Sequence, residues 1–298
     1  MDIILGLVKS VLEESFIYGI MVMGVYITYK ILDFPDLSVD GTFPLGACAT
    51  AALITAGVNP WLACVLVFLL GMLAGAFTGV LHVKLKVADL LSGIITMTAL
   101  WSVNLFILGG SAILQFYNKP TIFTSGPVAL LPEGIYKYRV LLVTFLFVIA
   151  VKLLLDWFLK TKSGLLLRAA GDNAQYVTAL ARDQGRMKIL GLAIGNGCTA
   201  LAGAVFAQQA ESASVSIGTG MVVQALAAVI IGTSVLGRLR RVGTTTKALA
   251  GTVIYKAILL IAMLYLPPNA LKLAMAALFV AALLSDRLGR KKGGVLHA

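Results

Sequence analysis

The chain has 298 residues, 59% hydrophobic and only 12% charged, with a formal net charge of +11 and a mean hydropathy of +0.96. A soluble domain carries about 25% charged residues, so one water-soluble globular core is excluded and the chain reads as an integral membrane protein. The apolar runs are long and lack strand-length alternation, which selects helices over a barrel. Basic residues cluster in loops between those runs, so the positive charge is a topology signal in preference to a nucleic-acid footprint.

A hydrocarbon core needs about 20 apolar residues per helix. The expected fold is an all-α polytopic bundle, a single transmembrane domain over 1–298, with spans near 16–32, 42–57, 61–81, 88–109, 140–159, 188–209, 217–236, 247–266 and 270–286. Residues 1–14 read as a separate amphipathic or interfacial helix, because Lys9, Glu13 and Glu14 are hard to bury. Asp2 ahead of the apolar run, with Glu13 and Glu14 inside it, argues against a cleavable signal. Nine spans put the N-terminus outside; eight spans with 42–57 re-entrant put it inside.

Between the first two spans, Asp33-Phe-Pro-Asp-Leu-Ser-Val-Asp-Gly-Thr-Phe-Pro-Leu-Gly46 packs three carboxylates, two prolines and two glycines into fourteen residues. Helix-breaking polar sequence at membrane depth is tolerated where it lines a cavity or is buried in protein. Asp36, Ser38, Asp40 and Thr42 are therefore candidates for a translocation path, and Asp40 can attract a substrate ammonium. The competing reading is a solvated turn followed by an N-capped helix. Gly71, Gly75 and Gly79 recur every four residues, a spacing for close helix packing within one copy or at a dimer seam.

Further along, Asn104 shares its helix with Thr96, Thr98 and Ser102, and Asn196 lies inside a later span. Both amides fit either pore lining or interhelical hydrogen bonding. Residues 110–138 hold Phe116, Tyr117, Pro120, Phe123 and Pro127 and read as a folded or re-entrant external cap. Segment 160–188 is the largest cytoplasmic insertion. Gly171 is expected to break the chain, Asp172 or Asn173 to cap a short helix over 173–182, and Gly185 to end it. Its apolar Ala174, Val177, Leu180 and Ala181 can dock on another protein or lie on headgroups. Lys256, mid-span, must face the interior, a cavity or a partner. It can meet a substrate carboxylate, pair with an Asp of the broken segment, snorkel, or bond a backbone carbonyl. Cys48, Cys64 and Cys198 read as packing residues, and His82 as an interfacial residue without metal partners. No catalytic set is recognised, and no metal site.

Lys/Arg asymmetry orients the bundle. The basic segments 82–86, 160–188, 238–247 and 287–292 alternate with basic-poor turns at 210–216 and 267–269, placing the four basic segments and the C-terminus in the cytoplasm.

Three ordered motifs then carry a resemblance. Asp36-Leu-Ser-Val-Asp-Gly41, Arg168-Ala-Ala-Gly-Asp-Asn173 with Gly185 and Ala200-Leu-Ala-Gly-Ala204 downstream, and Ala225-Leu-Ala-Ala-Val-Ile-Ile-Gly-Thr-Ser-Val-Leu-Gly237 resemble bacterial ABC importer permeases of the branched-chain amino acid/ribose type, over roughly 30–285. The first motif looks closest to the subgroup associated with tryptophan or tyrosine uptake. The chain departs at Asp40, where the family usually has Gly, and after Gly237, where Arg238-Leu-Arg-Arg241 replaces a glycine-rich stretch and can anchor in the cytoplasm or touch a partner. The resemblance implies a homodimeric permease in the bacterial cytoplasmic membrane, an ATP-binding subunit pair docked on Arg168, Gly171, Asp172, Asn173, Tyr176, Val177, Leu180 and Gly185, and an extracytoplasmic substrate-binding protein. The chain lacks a Gly-x-x-x-x-Gly-Lys-Ser/Thr loop, so it carries no cofactor of its own; ATP and Mg belong on the partner ATPase. An ion-coupled secondary transporter using Asp40 and Lys256, or a membrane scaffold, are the competing classes.

Overall fold

The computed structural model describes residues 2–130, 132, 136–172, 183–237, 243–267 and 270–294. Among the described residues ten helices dominate: α1 Asp2–Val25, α2 Val39–Thr55, α3 Pro60–Val83, α4 Asp89–Ile107, α5 Arg139–Lys160, α6 Lys162–Asp172, α7 Gln184–Ala210, α8 Met221–Val235, α9 Thr244–Tyr265 and α10 Leu271–Gly294. A π-helical stretch, Tyr26–Ile31, prolongs α1. Two three-residue strands, β1 Ile113–Gln115 and β2 Ser212–Ser214, pair antiparallel. Seven helical segments are long and apolar enough to cross a membrane; Val39–Thr55 and Leu271–Leu284 are shorter.

Local chemistry sets several boundaries. Pro60 occupies the first turn of α3, and Asn59 Oδ1 accepts from Trp61 N at 2.9 Å. Asp183 Oδ1 accepts from Gly185 N at 2.8 Å and caps α7. Gly185 therefore opens a helix and does not end one, contrary to the sequence expectation. Gly171 likewise lies within α6, which runs on to Asp172. It is not a breaker there because α6 crosses the end of the π-helical stretch, where a Cβ would overlap Ile31 O. Asn173, Tyr176, Val177 and Leu180, with the helix expected over 173–182 and Arg238-Leu-Arg-Arg241, lie outside the described residues.

The separate interfacial helix over 1–14 is also corrected. α1 is continuous from Asp2 into the span, and 83% of its apolar 18-residue window is buried within the bundle, while residues 5–12 stay exposed or half-buried. Its acids are tolerated because each has a cation: Glu13 lies 3.6 Å from Lys9, and Glu14 lies 3.1 Å from Lys256.

Direction follows from contacts at the two ends of the bundle. Lys9 Nζ donates to Lys137 O at 2.6 Å, just before α5, whereas Ile31 meets Gly171 of α6. So α1 runs from the face carrying residues 110–138 to the face carrying α6. Val83 at the end of α3 meets Gly185 at the start of α7, so α3 runs the same way. The intervening segment must return across the bundle. At about 1.5 Å per residue its helix, α2, covers about 25 Å of a core about 30 Å thick; the non-helical Asp33–Asp36 and the turn at Leu37–Ser38 supply the rest. This favours nine passes over eight plus a re-entrant segment, with the second pass discontinuous.

α7 occupies the centre, buried along most of its length and rich in Gly and Ala. Gly71, Gly75 and Gly79 of α3 face Ala200 and Asn196, Leu192, and Ile189 of α7. The glycine stripe thus seals an interface within the chain. The described part of the 110–138 segment is folded: Phe116, Ile122 and Phe123 are buried, and Ile122 N donates to Gln208 Oε1 at 2.9 Å.

Candidate functional site

The broken segment closes on itself and on α7. Asp36 Oδ1 accepts from Ser38 N at 2.9 Å, and Asp36 Oδ2 from Asn196 Nδ2 at 2.6 Å. Ser38 Oγ donates to Asn196 Oδ1 at 3.1 Å, and Asn196 Nδ2 also reaches Leu192 O at 3.1 Å. Both amide hydrogens and the amide oxygen are used. Thr42 Oγ1 donates to Ser38 O at 3.0 Å. All four side chains are buried. The structure brings the path candidates Asp36, Ser38, Thr42 and Asn196 together as a satisfied latch between the unwound segment and α7.

Asp40 and Asn104 are different. Asp40 Oδ2 accepts from Gly220 N at 3.0 Å and Oδ1 from Val222 N at 2.8 Å. Gly220, at φ +88°, precedes α8 and has no side chain to cap it. A carboxylate from α2 does so instead, where the helix N-terminus favours negative charge. Asn104 Nδ2 donates to Gly41 O at 3.2 Å, while Asn104 Oδ1 is buried and unpartnered. Between α2, α4 and the 3-10 turn Val215–Gly218 lies a cavity of about 320 Å3, walled by Asp40, Pro44, Met97, Trp101, Asn104 and Thr219. Trp101 and Met97 were not singled out in the sequence, although with Asn104 they follow the i, i+4, i+7 spacing of one helix face.

A family profile described as branched-chain amino acid transport system / permease component matches residues 7–283. The chain belongs to this family. It is 40% identical over 280 residues, 94% of its own length and 91% of the relative's, to a tyrosine transport system permease protein of Clostridioides difficile. It is 32% identical over 230 residues to an uncharacterised protein of Rickettsia prowazekii, covering 76% and 77% of the two chains. A third relative, the autoinducer 2 import system permease protein of Escherichia coli O9:H4, is 32% identical over 205 residues, covering 66% and 55%. The chain is thus a multi-pass membrane protein, the permease component of an ATP-binding-cassette importer.

In this permease Lys256 does not join the broken segment. Its Nζ lies 3.1 Å from Glu14 Oε2 and 3.5 Å from the centre of the Tyr18 ring. Of the alternatives open to it, pairing with an Asp of that segment is not the one adopted, because α1 supplies an acid at the level of Lys256. Glu14 is half-exposed, so the pair lies at the edge of the bundle. Arg168 is exposed on α6, while Leu167 and Ala170 face inward and Gln184 Nε2 donates to Ala170 O at 3.3 Å. α6 is therefore anchored to α7. His82 accepts its contacts from Lys188 (Nε2, 3.2 Å) and sits 3.0 Å from Val87 O. The three cysteines are free and buried. Among the described residues no group of three His, Cys, Asp or Glu is placed to hold a metal.

Proposed function

We infer that this permease imports an amino acid with an aromatic side chain across the bacterial cytoplasmic membrane by alternating access. The observation that carries this reading is the 40% identity, across 94% of the chain, to a tyrosine transport system permease. Two copies form the path, an ATP-binding subunit pair docks on the 160–188 face, and an extracytoplasmic binding protein delivers the substrate. ATP and Mg act on the partner subunits. The C-terminus lies in the cytoplasm, in keeping with the basic segments. Anchorage of α6 to the end of α1 and to α7 supports a mechanical role, since movement imposed on 160–188 is passed directly to the central helices. Partner binding shifts the inward–outward balance only by its differential affinity for the two states.

The test is uptake of labelled tyrosine into proteoliposomes holding the permease, its ATP-binding subunits and its binding protein. ATP-dependent accumulation is expected, and replacement of Gly171–Leu180 by a flexible linker is expected to abolish it. Uptake driven by an ion gradient without the ATP-binding subunits would overturn the reading.

A further inference from the structure

We propose that the cavity between α2, α4 and the Val215–Gly218 turn grips the primary ammonium group of an aromatic amino acid in transit. The inference rests on the importer reading and adds which end of the substrate is held and by which atoms.

The cavity presents several oxygen acceptors. Asn104 has spent an amide N–H on Gly41 O, and its buried Oδ1 has no partner. Thr98 Oγ1 donates to Ile94 O at 2.8 Å, and Thr219 Oγ1 to Ser216 O at 3.0 Å. Both hydroxyl hydrogens are committed to backbone, leaving lone pairs. Asp40 faces the backbone N–H groups of Gly220, Met221 and Val222, whereas a carboxylate has about four lone-pair sites. Among the described residues no Lys, Arg or His lines the cavity. Asn104 Oδ1 is buried and Asp40 half-buried, while Thr98 and Thr219 are exposed at the rim; the two inner acceptors are completed by a ligand donor, and charge favours a cationic one.

The remaining wall fits the rest of the molecule. Trp101 is 49% exposed and, with Met97 and Pro44, forms an apolar surface beside the acceptors. A volume of about 320 Å3 lies in the range of small-ligand sites, which combine apolar walls with a few placed polar groups. An indole face also attracts an ammonium. Carboxylate recognition is disfavoured at this point, because the one charge present is negative. Asp40 simultaneously caps α8, so occupancy is felt at the N-terminus of that helix.

Trp101 is one of three tryptophans. Replacing Trp61 and Trp157 by Phe in the full chain, purified in detergent, makes it the sole reporter of ligand binding. Tyrosine and tyramine, which share the ammonium, are expected to shift its fluorescence saturably. 3-(4-Hydroxyphenyl)propionate, which lacks the ammonium, is expected to need at least about tenfold higher concentration, the scale of a lost charge-assisted bond. Asp40→Asn keeps a capping oxygen but not the charge; it and Asn104→Leu should each weaken tyramine binding by a similar factor. Equal response to the deaminated acid, an unchanged response in both variants, or the same response from a Trp157-only chain would each overturn the proposal. ATP-driven tyrosine uptake without any Trp101 response leaves the importer reading standing and removes the cavity assignment. A saturable amine-dependent response without tyrosine uptake does the reverse.

Discussion

Asp40 stands on α2 but caps α8, holding Gly220 N and Val222 N on separate oxygens. Loss of such a cap costs about 0.5–2 kcal/mol, so Asp40→Ala should lower the thermal unfolding midpoint in detergent, and Asp40→Asn should lower it less. The latch at Asp36, Ser38 and Asn196 makes a stronger demand. Asn196→Ala strands Asp36 Oδ2 and Ser38 Oγ in a buried place, a penalty of about 1–3 kcal/mol for an unsatisfied group and more for a charged one. The same thermal measurement should therefore rank Asn196→Ala below Asp40→Asn; the opposite order would mean that the latch is not closed. Lys256 offers an asymmetric case. It is 6% exposed, while its partner Glu14 is 51% exposed. Glu14→Gln leaves a buried cation without its counter-ion, whereas Lys256→Met leaves only a surface acid. Breaking such a pair from the exposed side should destabilise more than removing the buried charge. Little of this is visible in the chain itself. Sequence marked these residues as polar in apolar surroundings, but not which polar atom answers which.

The elements were more legible than their endings. Long apolar stretches predict most of these helices to within a few residues, because hydrophobic length is a local property; the exceptions are α1, which begins at Asp2 and not near 16, and α10, which runs on to Gly294. Gly171 and Gly185 misled for a complementary reason. Glycine reads as a breaker from backbone entropy, yet both serve close approach: Gly171 to the backbone of Ile31, Gly185 to the side chain of Val83. The α3–α7 interface provides the direct test. A Cβ on Gly75 would overlap Leu192 O, whereas one on Gly6 would meet nothing. Gly75→Ala should cost about 1–3 kcal/mol, the usual scale of overpacking. Gly6→Ala should leave the unfolding midpoint unchanged or slightly raised. Equal tolerance of both would remove the glycine stripe from the interior of the bundle.

For the molecule as a whole, opposite faces carry the 110–138 cap and α6. Single cysteines at Asn118 and Arg168, in a chain lacking its three buried cysteines, report on this arrangement. A membrane-impermeant thiol reagent should label position 118 from outside intact cells and position 168 only in inverted vesicles. Labelling of both from the same side would undo the nine-pass path. Composition, hydropathy and the three ordered motifs are enough to establish a helical membrane permease and its family, since each is read over a short window. The contacts that define the site are not. Ser38 meets Asn196 across 158 positions, Asp40 meets Gly220 across 180, and Glu14 meets Lys256 across 242. Hydrophobic periodicity says which side chains turn inward. Only packing of distant helices at one depth decides that Asp36 is hydrogen-bonded by an amide, that Asp40 faces a cavity, and that Lys256 is held away from both.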